Sequence, residues 1–167
     1  VPLYHCFGCV LGTLCCVALG STMVFPSETF DAGATLAAIE SERCTAIYGV
    51  PTMFIAMLEH PDYAQRNLKS LRTGIMAGSP CPIELMKRGT HEMGASEITI
   101  GYGQTEASPL VTQTVTDDPI ELRVGTVGRA LPDVEVKIID PESGRELPDG
   151  QSGELCSRGH VVLLGYF

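Results

Sequence analysis

Glu97-Ile98-Thr99-Ile100-Gly101-Tyr102-Gly103-Gln104-Thr105-Glu106 is the stretch on which the reading of this chain turns. Glu97 to Ile100 has the β-branched density of a short strand. At its carboxyl end two glycines bracket an aromatic, and a hydroxyl and an acid follow. Glycine lets backbone approach a ligand closely, and the Tyr102 ring offers a flat face for a purine. Thr105 supplies a hydroxyl for a phosphate oxygen, and Glu106 a hard oxygen ligand suited to Mg²⁺. The six residues from Gly101 also fit an ordinary glycine-containing turn that ends in an exposed acid. The surrounding chain has to separate the two.

Strands and helices alternate upstream of this stretch. Thr22–Phe25 reads as a strand, and Asp31–Arg43 as a helix with Leu36 and Ile39 on one side. Thr45–Val50 reads as a strand buried on both faces by its unbroken apolarity. Pro51 sits where a helix starts, and Thr52–Glu59 is apolar nearly all round, so that helix is internal. Thr73–Ala77 is a strand and Pro82–Met93 a helix. This alternation argues for βαβ units and a parallel sheet. Beyond Thr116 the character changes. Val134, Val136 and Ile138 alternate with Glu135 and Lys137, Pro141-Glu142-Ser143-Gly144 and Pro148-Asp149-Gly150 are turns, and Glu154–Arg158 returns as a strand. The expected fold is therefore α/β: a parallel sheet with flanking helices, followed by a small antiparallel β subdomain. Residues 1-116 form the first part and 117-167 the second, with the boundary near Asp117–Val127.

Hydrophobic content of 44% over 167 residues suits a folded protein, and the net charge of −9 with no basic cluster excludes nucleic acid as an expected partner. Seven cysteines in no framework spacing suit an intracellular, reducing compartment and buried, inert thiols. Cys6-Phe7-Gly8-Cys9 spells C-x-x-C, but no second such pair or His pair completes a zinc or redox site. The apolar run Cys6–Phe25 carries three glycines and reads as a buried helix–strand pair, so no transmembrane segment is expected. The chain opens and closes in full stride, as an internal segment of something larger would.

Ligands of open parallel sheets bind at the carboxyl ends of the strands. Ala77-Gly78-Ser79-Pro80 follows the third strand and Gly101–Glu106 the fourth, so both face one crevice if those strands are neighbours. Taken alone, Ala77–Pro80 is an ordinary strand-to-helix turn.

Several stretches, in order, resemble the adenylate-forming enzymes, the ATP-dependent acyl-CoA synthetases and their relatives. Pro2-Leu3-Tyr4-His5-Cys6-Phe7-Gly8 is similar to their P-x-F/Y-H-x-x-G motif. Tyr48–Met53 resembles the element lining the acyl cavity, and Ala77–Pro80 the adenine-side loop. Tyr102–Glu106 resembles Y-G-x-T-E. Val124–Gly128, and Gly153–Gly159 with Gly165-Tyr166, resemble two further signatures. Within the superfamily the wording is most like the fatty acyl-CoA synthetases of the medium-chain type.

The resemblance implies a partial N-terminal domain of a ligase that forms acyl-AMP and then acyl-CoA, using a fatty acid, ATP, Mg²⁺ and CoA. It places Tyr102 on the adenine beside Gly78, Ser79 and Pro80, with Gly103 and Gln104 in the same loop. It puts Thr105 at the α-phosphate, Glu106 on Mg²⁺, and His5 near the carboxylate and the path of the CoA thiol. On the residues themselves, Gly101, with no side chain, either opens the floor of the acyl pocket, with uncharged Ser108 and Pro109 as a wall, or merely permits a tight backbone path. The family's Lys-bearing phosphate loop, ribose-binding acid and activating lysine fall outside residues 1–167, so the segment alone is expected to be inactive. The cytoplasm or the mitochondrial matrix is the implied compartment. An aryl-CoA ligase, a peptide-synthetase adenylation domain and a non-catalytic scaffold of the same fold share most of these motifs. A redox or zinc protein built on Cys6 and Cys9 is a further alternative.

Overall fold

A computed structural model describes residues 1–167. The chain opens on a π-helical segment, Phe7–Leu14, that runs into α1 (Cys15–Leu19) and stops at Gly20, whose φ of 65° a glycine takes without penalty. The strand expected at Thr22–Phe25 does not form: no strand of this chain pairs with it, and Phe25 is exposed. No helix is long and apolar enough to cross a membrane. Then α2 (Ala32–Glu42) begins where the Asp31 carboxylate accepts from the Ala34 N–H at 2.6 Å, a side-chain cap for an orphan donor. It buries Leu36 and Ile39, the two residues its periodicity marks.

Three parallel strands follow: β1 (Ala46–Gly49), β2 (Thr73–Ala77) and β3 (Glu97–Gly103), connected through α3 (Pro51–Leu58) and α4 (Ile83–His91). As expected, Pro51 opens α3, where its missing N–H costs nothing. β1 is not buried on both faces: it is an edge strand, with Ala46 exposed and Tyr48 half-buried under Phe7, whose ring stacks on it at 6.1 Å. Helices and sheet enclose one core in which Leu36, Phe54, Met57, Met76, Met86 and Ile98 are wholly buried.

Two strands that the sequence pattern did not mark extend the sheet in the antiparallel sense. These are β4 (Leu110–Gln113) and β5 (Arg129–Ala130), giving the order β1-β2-β3-β4-β5. Between them lies α5 (Ile120–Gly125), whose Ile120 and Val124 pack on the main core. A separate hairpin, β6 (Val134–Ile139) with β7 (Glu154–Gly159), follows the period-2 pattern. Its Glu135 and Arg158 sit opposite one another as an exposed ion pair at 2.5 Å, a geometry of small energetic weight.

α5 is held by one buried cation. Arg123 donates through Nε to the Asp118 carbonyl at 3.0 Å, and through Nη1 to the carbonyls of Ser96 at 2.9 Å and Ile98 at 2.7 Å. Asp118, also buried, accepts both ends of the Arg129 fork at 3.0 and 3.1 Å and the Val115 N–H at 2.9 Å. These partners, Arg129 first, hold its carboxyl below the usual carboxylate range. The network ties α5 and β5 to the amino end of β3.

Replacing Arg123 by Met keeps the stem and strips two buried carbonyls, those of Asp118 and Ile98, and the partly buried one of Ser96 of their donor. Each such loss costs on the order of 1–3 kcal/mol, so Arg123→Met should lower unfolding free energy by about 2–4 kcal/mol in urea titration. A loss below about 0.5 kcal/mol would show that water replaces the guanidinium without penalty.

Candidate functional site

The parallel register aligns Ala77 with Gly101. The Gly78-Ser79-Pro80 turn therefore leaves the sheet beside Tyr102 and Gly103, at the carboxyl ends of neighbouring strands. Gly78 has φ 87°, a left-handed conformation in which a side chain would be strained, and Gly78, Ser79 and Pro80 are all exposed. Tyr102 is 37% exposed, so part of its ring is open to solvent at this edge.

The stretch from Gly101 is not wholly a loop. β3 runs on through Gly103, and Gly101, Tyr102 and Gly103 pair with Gln113, Thr112 and Leu110 across a bulge between 102 and 103. Gly103 is required by packing: a Cβ there would overlap the Pro109 carbonyl oxygen. At Gly101 the open space expected from its missing side chain is absent, and this corrects the sequence reading. Gly101 is buried, and a Cβ there would sit 2.8 Å from a Leu110 methyl and 3.5 Å from Ile75. Leu110 fills the floor, Pro109 is buried beside it, and Ser108 lies exposed in a left-handed conformation at φ 55°.

Gln104 leads into a single 3-10 turn, Thr105–Ala107, that projects Thr105 and Glu106 beyond the sheet edge. Two distant parts of the chain meet this turn. From the amino end, the Cys6 thiol lies 3.5 Å from the Thr105 hydroxyl and 3.7 Å from His5 Nδ1. That approach depends on a fold-back in which Pro2 accepts from the His5 N–H at 3.2 Å and Gly8 packs against the Pro2 carbonyl, where a Cβ would overlap. His5 is exposed, and its Nδ1 accepts the Phe7 N–H at 3.1 Å. With Nδ1 an acceptor, the neutral ring carries its proton on Nε2, which stands free as a donor.

From the carboxyl end, the Tyr166 hydroxyl donates to Glu106 Oε1 at 2.7 Å, and the Leu163 N–H donates to the Glu106 carbonyl at 2.9 Å. The Tyr166 hydrogen bond first, and the residue's own backbone N–H second, hold the Glu106 carboxyl below its usual range. Glu106 is therefore a carboxylate throughout the neutral range, while the same bond raises the Tyr166 phenol. The sequence reading missed both Cys6 and Tyr166 as neighbours of this turn. Each lies inside a quoted motif, but contacts spanning 99 and 60 residues leave no trace in local pattern.

One ionised carboxylate, with Oε1 taken and Oε2 left to a cation, fits Mg²⁺, which binds through one or two carboxylates together with substrate phosphates. No three His, Cys, Asp or Glu side chains cluster as a cage for a metal ion by themselves. Cys6 and Cys9 thus have no third ligand, and all seven cysteines are free thiols. The expectation of buried thiols holds only for Cys81, where burial pushes the thiol up to about 11, whereas Cys9 is exposed.

The sequence profile of the family described as AMP-binding enzyme matches residues 1–167. The chain is 55% identical over 167 residues to YngI of Bacillus subtilis, which bears an acyl-CoA synthetase name, and covers 30% of that protein. It is 48% identical over its whole length to the mitochondrial medium-chain acyl-CoA ligase ACSF2 of Danio rerio, and covers 28% of it. Among solved structures, the anthranilate CoA ligase AuaEII in complex with anthranoyl-AMP superposes with a TM-score of 0.87 at 27% identity. That match takes in 98% of this chain and 31% of the other. The chain spans about three tenths of the length of the curated relatives it matches.

The two glycines of β3 should respond differently to a methyl group. Gly103→Ala drives a Cβ into the Pro109 backbone and should cost several kcal/mol, on the order of an overpacked core site or more. Gly101→Ala meets only the end of the Leu110 side chain, which can rotate, and should cost less than about 1 kcal/mol. Thermal melts of the two variants check this, and equal losses would mean that β3 and β4 separate more easily than their pairing implies.

Proposed function

The chain belongs to the AMP-binding enzyme family, and from that premise we propose that the protein containing it is an ATP-dependent carboxylic acid–CoA ligase acting on fatty acids. The observation that carries the reading is the meeting, at one sheet edge, of the Gly78–Pro80 turn, the Tyr102 face and the Thr105-Glu106 turn with His5 beside them. In this reading residues 1-116 form the nucleotide and acyl side, and 117-167 the β-rich part.

The adenine lies on Tyr102 against the Gly78-Ser79-Pro80 backbone, with Gly103 and Gln104 bordering it. The Thr105 hydroxyl donates to an α-phosphate oxygen. Glu106 would hold Mg²⁺, which supplies neutralisation of the phosphate charge. His5 offers Nε2–H to the carboxylate of the acid, fixing its attacking oxygen in line with the α-phosphorus. That oxygen forms the acyl-AMP mixed anhydride as the bond to pyrophosphate breaks and pyrophosphate leaves. In the second half-reaction the CoA thiol, passing His5, loses its proton to solvent as its sulfur attacks the acyl carbon, the thioester forms and AMP departs.

Gly101 opens no space, since Leu110 fills the floor there, so the acyl pocket would lie along the uncharged walls of Ser108 and Pro109. Such walls favour a hydrocarbon tail over an amino acid, since each buried methylene is worth about 0.8 kcal/mol. Seven unpaired thiols suit an intracellular, reducing compartment, the cytoplasm or the mitochondrial matrix.

In the full-length protein, Glu106→Gln keeps shape while removing charge, and should reduce fatty-acid-dependent ATP–pyrophosphate exchange by about 10²–10³-fold, the usual cost of one transition-state stabilising group. Wild-type exchange at limiting Mg²⁺ in this variant would remove the metal role. Residues 1–167 alone, which by family likeness lack the phosphate loop and activating lysine, should release no AMP from ATP above a boiled control. Measurable fatty acyl-CoA from the isolated segment would show that those groups are dispensable.

A further inference from the structure

The segment after β7 is fastened to the turn that carries Glu106 at three points. Val161 packs against the small cluster formed by Ala107, Val111 and Val134. The Leu163 N–H bonds the Glu106 carbonyl at 2.9 Å, and the Tyr166 hydroxyl bonds the Glu106 carboxylate at 2.7 Å. Backbone and side chain of one residue are therefore both gripped by the same short stretch. Apart from the residue's own backbone N–H, nothing in a half-exposed single-turn helix would fix the rotation of a Glu side chain, which is soft about its last torsion.

We propose that Tyr166 is a positioning residue for the Glu106 carboxylate: its hydroxyl holds Oε1, so that Oε2 is presented to the divalent cation that accompanies ATP. The inference rests on the metal role proposed for Glu106 above. A phenol suits the task because it is a neutral donor. It steers the carboxylate without cancelling the charge a cation needs, as a Lys or Arg in its place would. Partners that orient a metal ligand commonly contribute 10–100-fold to affinity. The exposure of Tyr166 sets the expectation at the low end of that range.

The test uses the full-length protein with Mn²⁺ as a spectroscopic stand-in, its binding followed by EPR in the presence of ATP, for wild type, Tyr166→Phe and Glu106→Gln. Phe keeps the ring and removes only the hydroxyl, and unchanged melting of the variant verifies that the segment still docks. Tyr166→Phe should weaken Mn²⁺ binding about tenfold, with a matching rise in the Mg²⁺ concentration that half-saturates pyrophosphate exchange and a smaller change in kcat. ATP binding without metal should not move. Mn²⁺ affinity within twofold of wild type in Tyr166→Phe, while Glu106→Gln abolishes it, would overturn the role of Tyr166 alone. Tighter Mn²⁺ binding in Tyr166→Phe would overturn it too, by making the hydroxyl a competitor of the cation. No effect of Glu106→Gln would overturn the metal reading beneath both.

Discussion

The close approach of Gly103 to the Pro109-Leu110 backbone is the constraint from which the rest of the site follows. β3 leaves the parallel part of the sheet at Gly101 and, instead of ending there, is caught by β4 coming back. The bulge at Tyr102 and Gly103 lets the strand turn its last residues outward while keeping the pairing. The Thr105–Ala107 turn must then fit between two strands already in contact, which forces its polar residues beyond the edge and buries Ala107. A side chain at 103 would undo that geometry at its origin. One at 101 would only displace a methyl of Leu110.

Parts governed by local rules were legible in the sequence. β2 begins and ends where its apolar run does, α2 starts at the one Asp able to cap it, and the β6–β7 hairpin follows strict alternation with turn residues between. Parts governed by distant partners were not. Leu110–Gln113 is short and unremarkable, and becomes a strand because β3 stands ready to pair with it. β5 is two residues long, and α5 depends on a buried arginine that reaches carbonyls 25 and 27 residues away. The reverse error, at Thr22–Phe25, has the same cause: strand propensity without a neighbour to pair with leaves the chain irregular.

The candidate site divides along the same line. Chemical types were readable, because an aromatic face, a hydroxyl and an acid within five residues are visible without coordinates. What held those groups was not. His5 Nε2 is assigned as a donor only once the Phe7 N–H is seen on Nδ1, and Glu106 has a defined orientation only once Tyr166 is seen on Oε1.

The charge balance explains why this arrangement needs contributions from beyond itself. The triphosphate of the proposed function would bring several negative charges, yet the groups gathered at this edge are two phenols, two hydroxyls, a thiol, glycine backbone, an imidazole and a carboxylate. Hydroxyl and backbone donors orient phosphate oxygens but cannot neutralise them, and Glu106 by itself would repel them. Its acid is nevertheless kept ionised by the hydrogen bond from Tyr166. An anion maintained beside a polyanion is stable only with a cation between the two. On the function proposed here, the carboxylate is half of a bridge whose other half would arrive with the nucleotide.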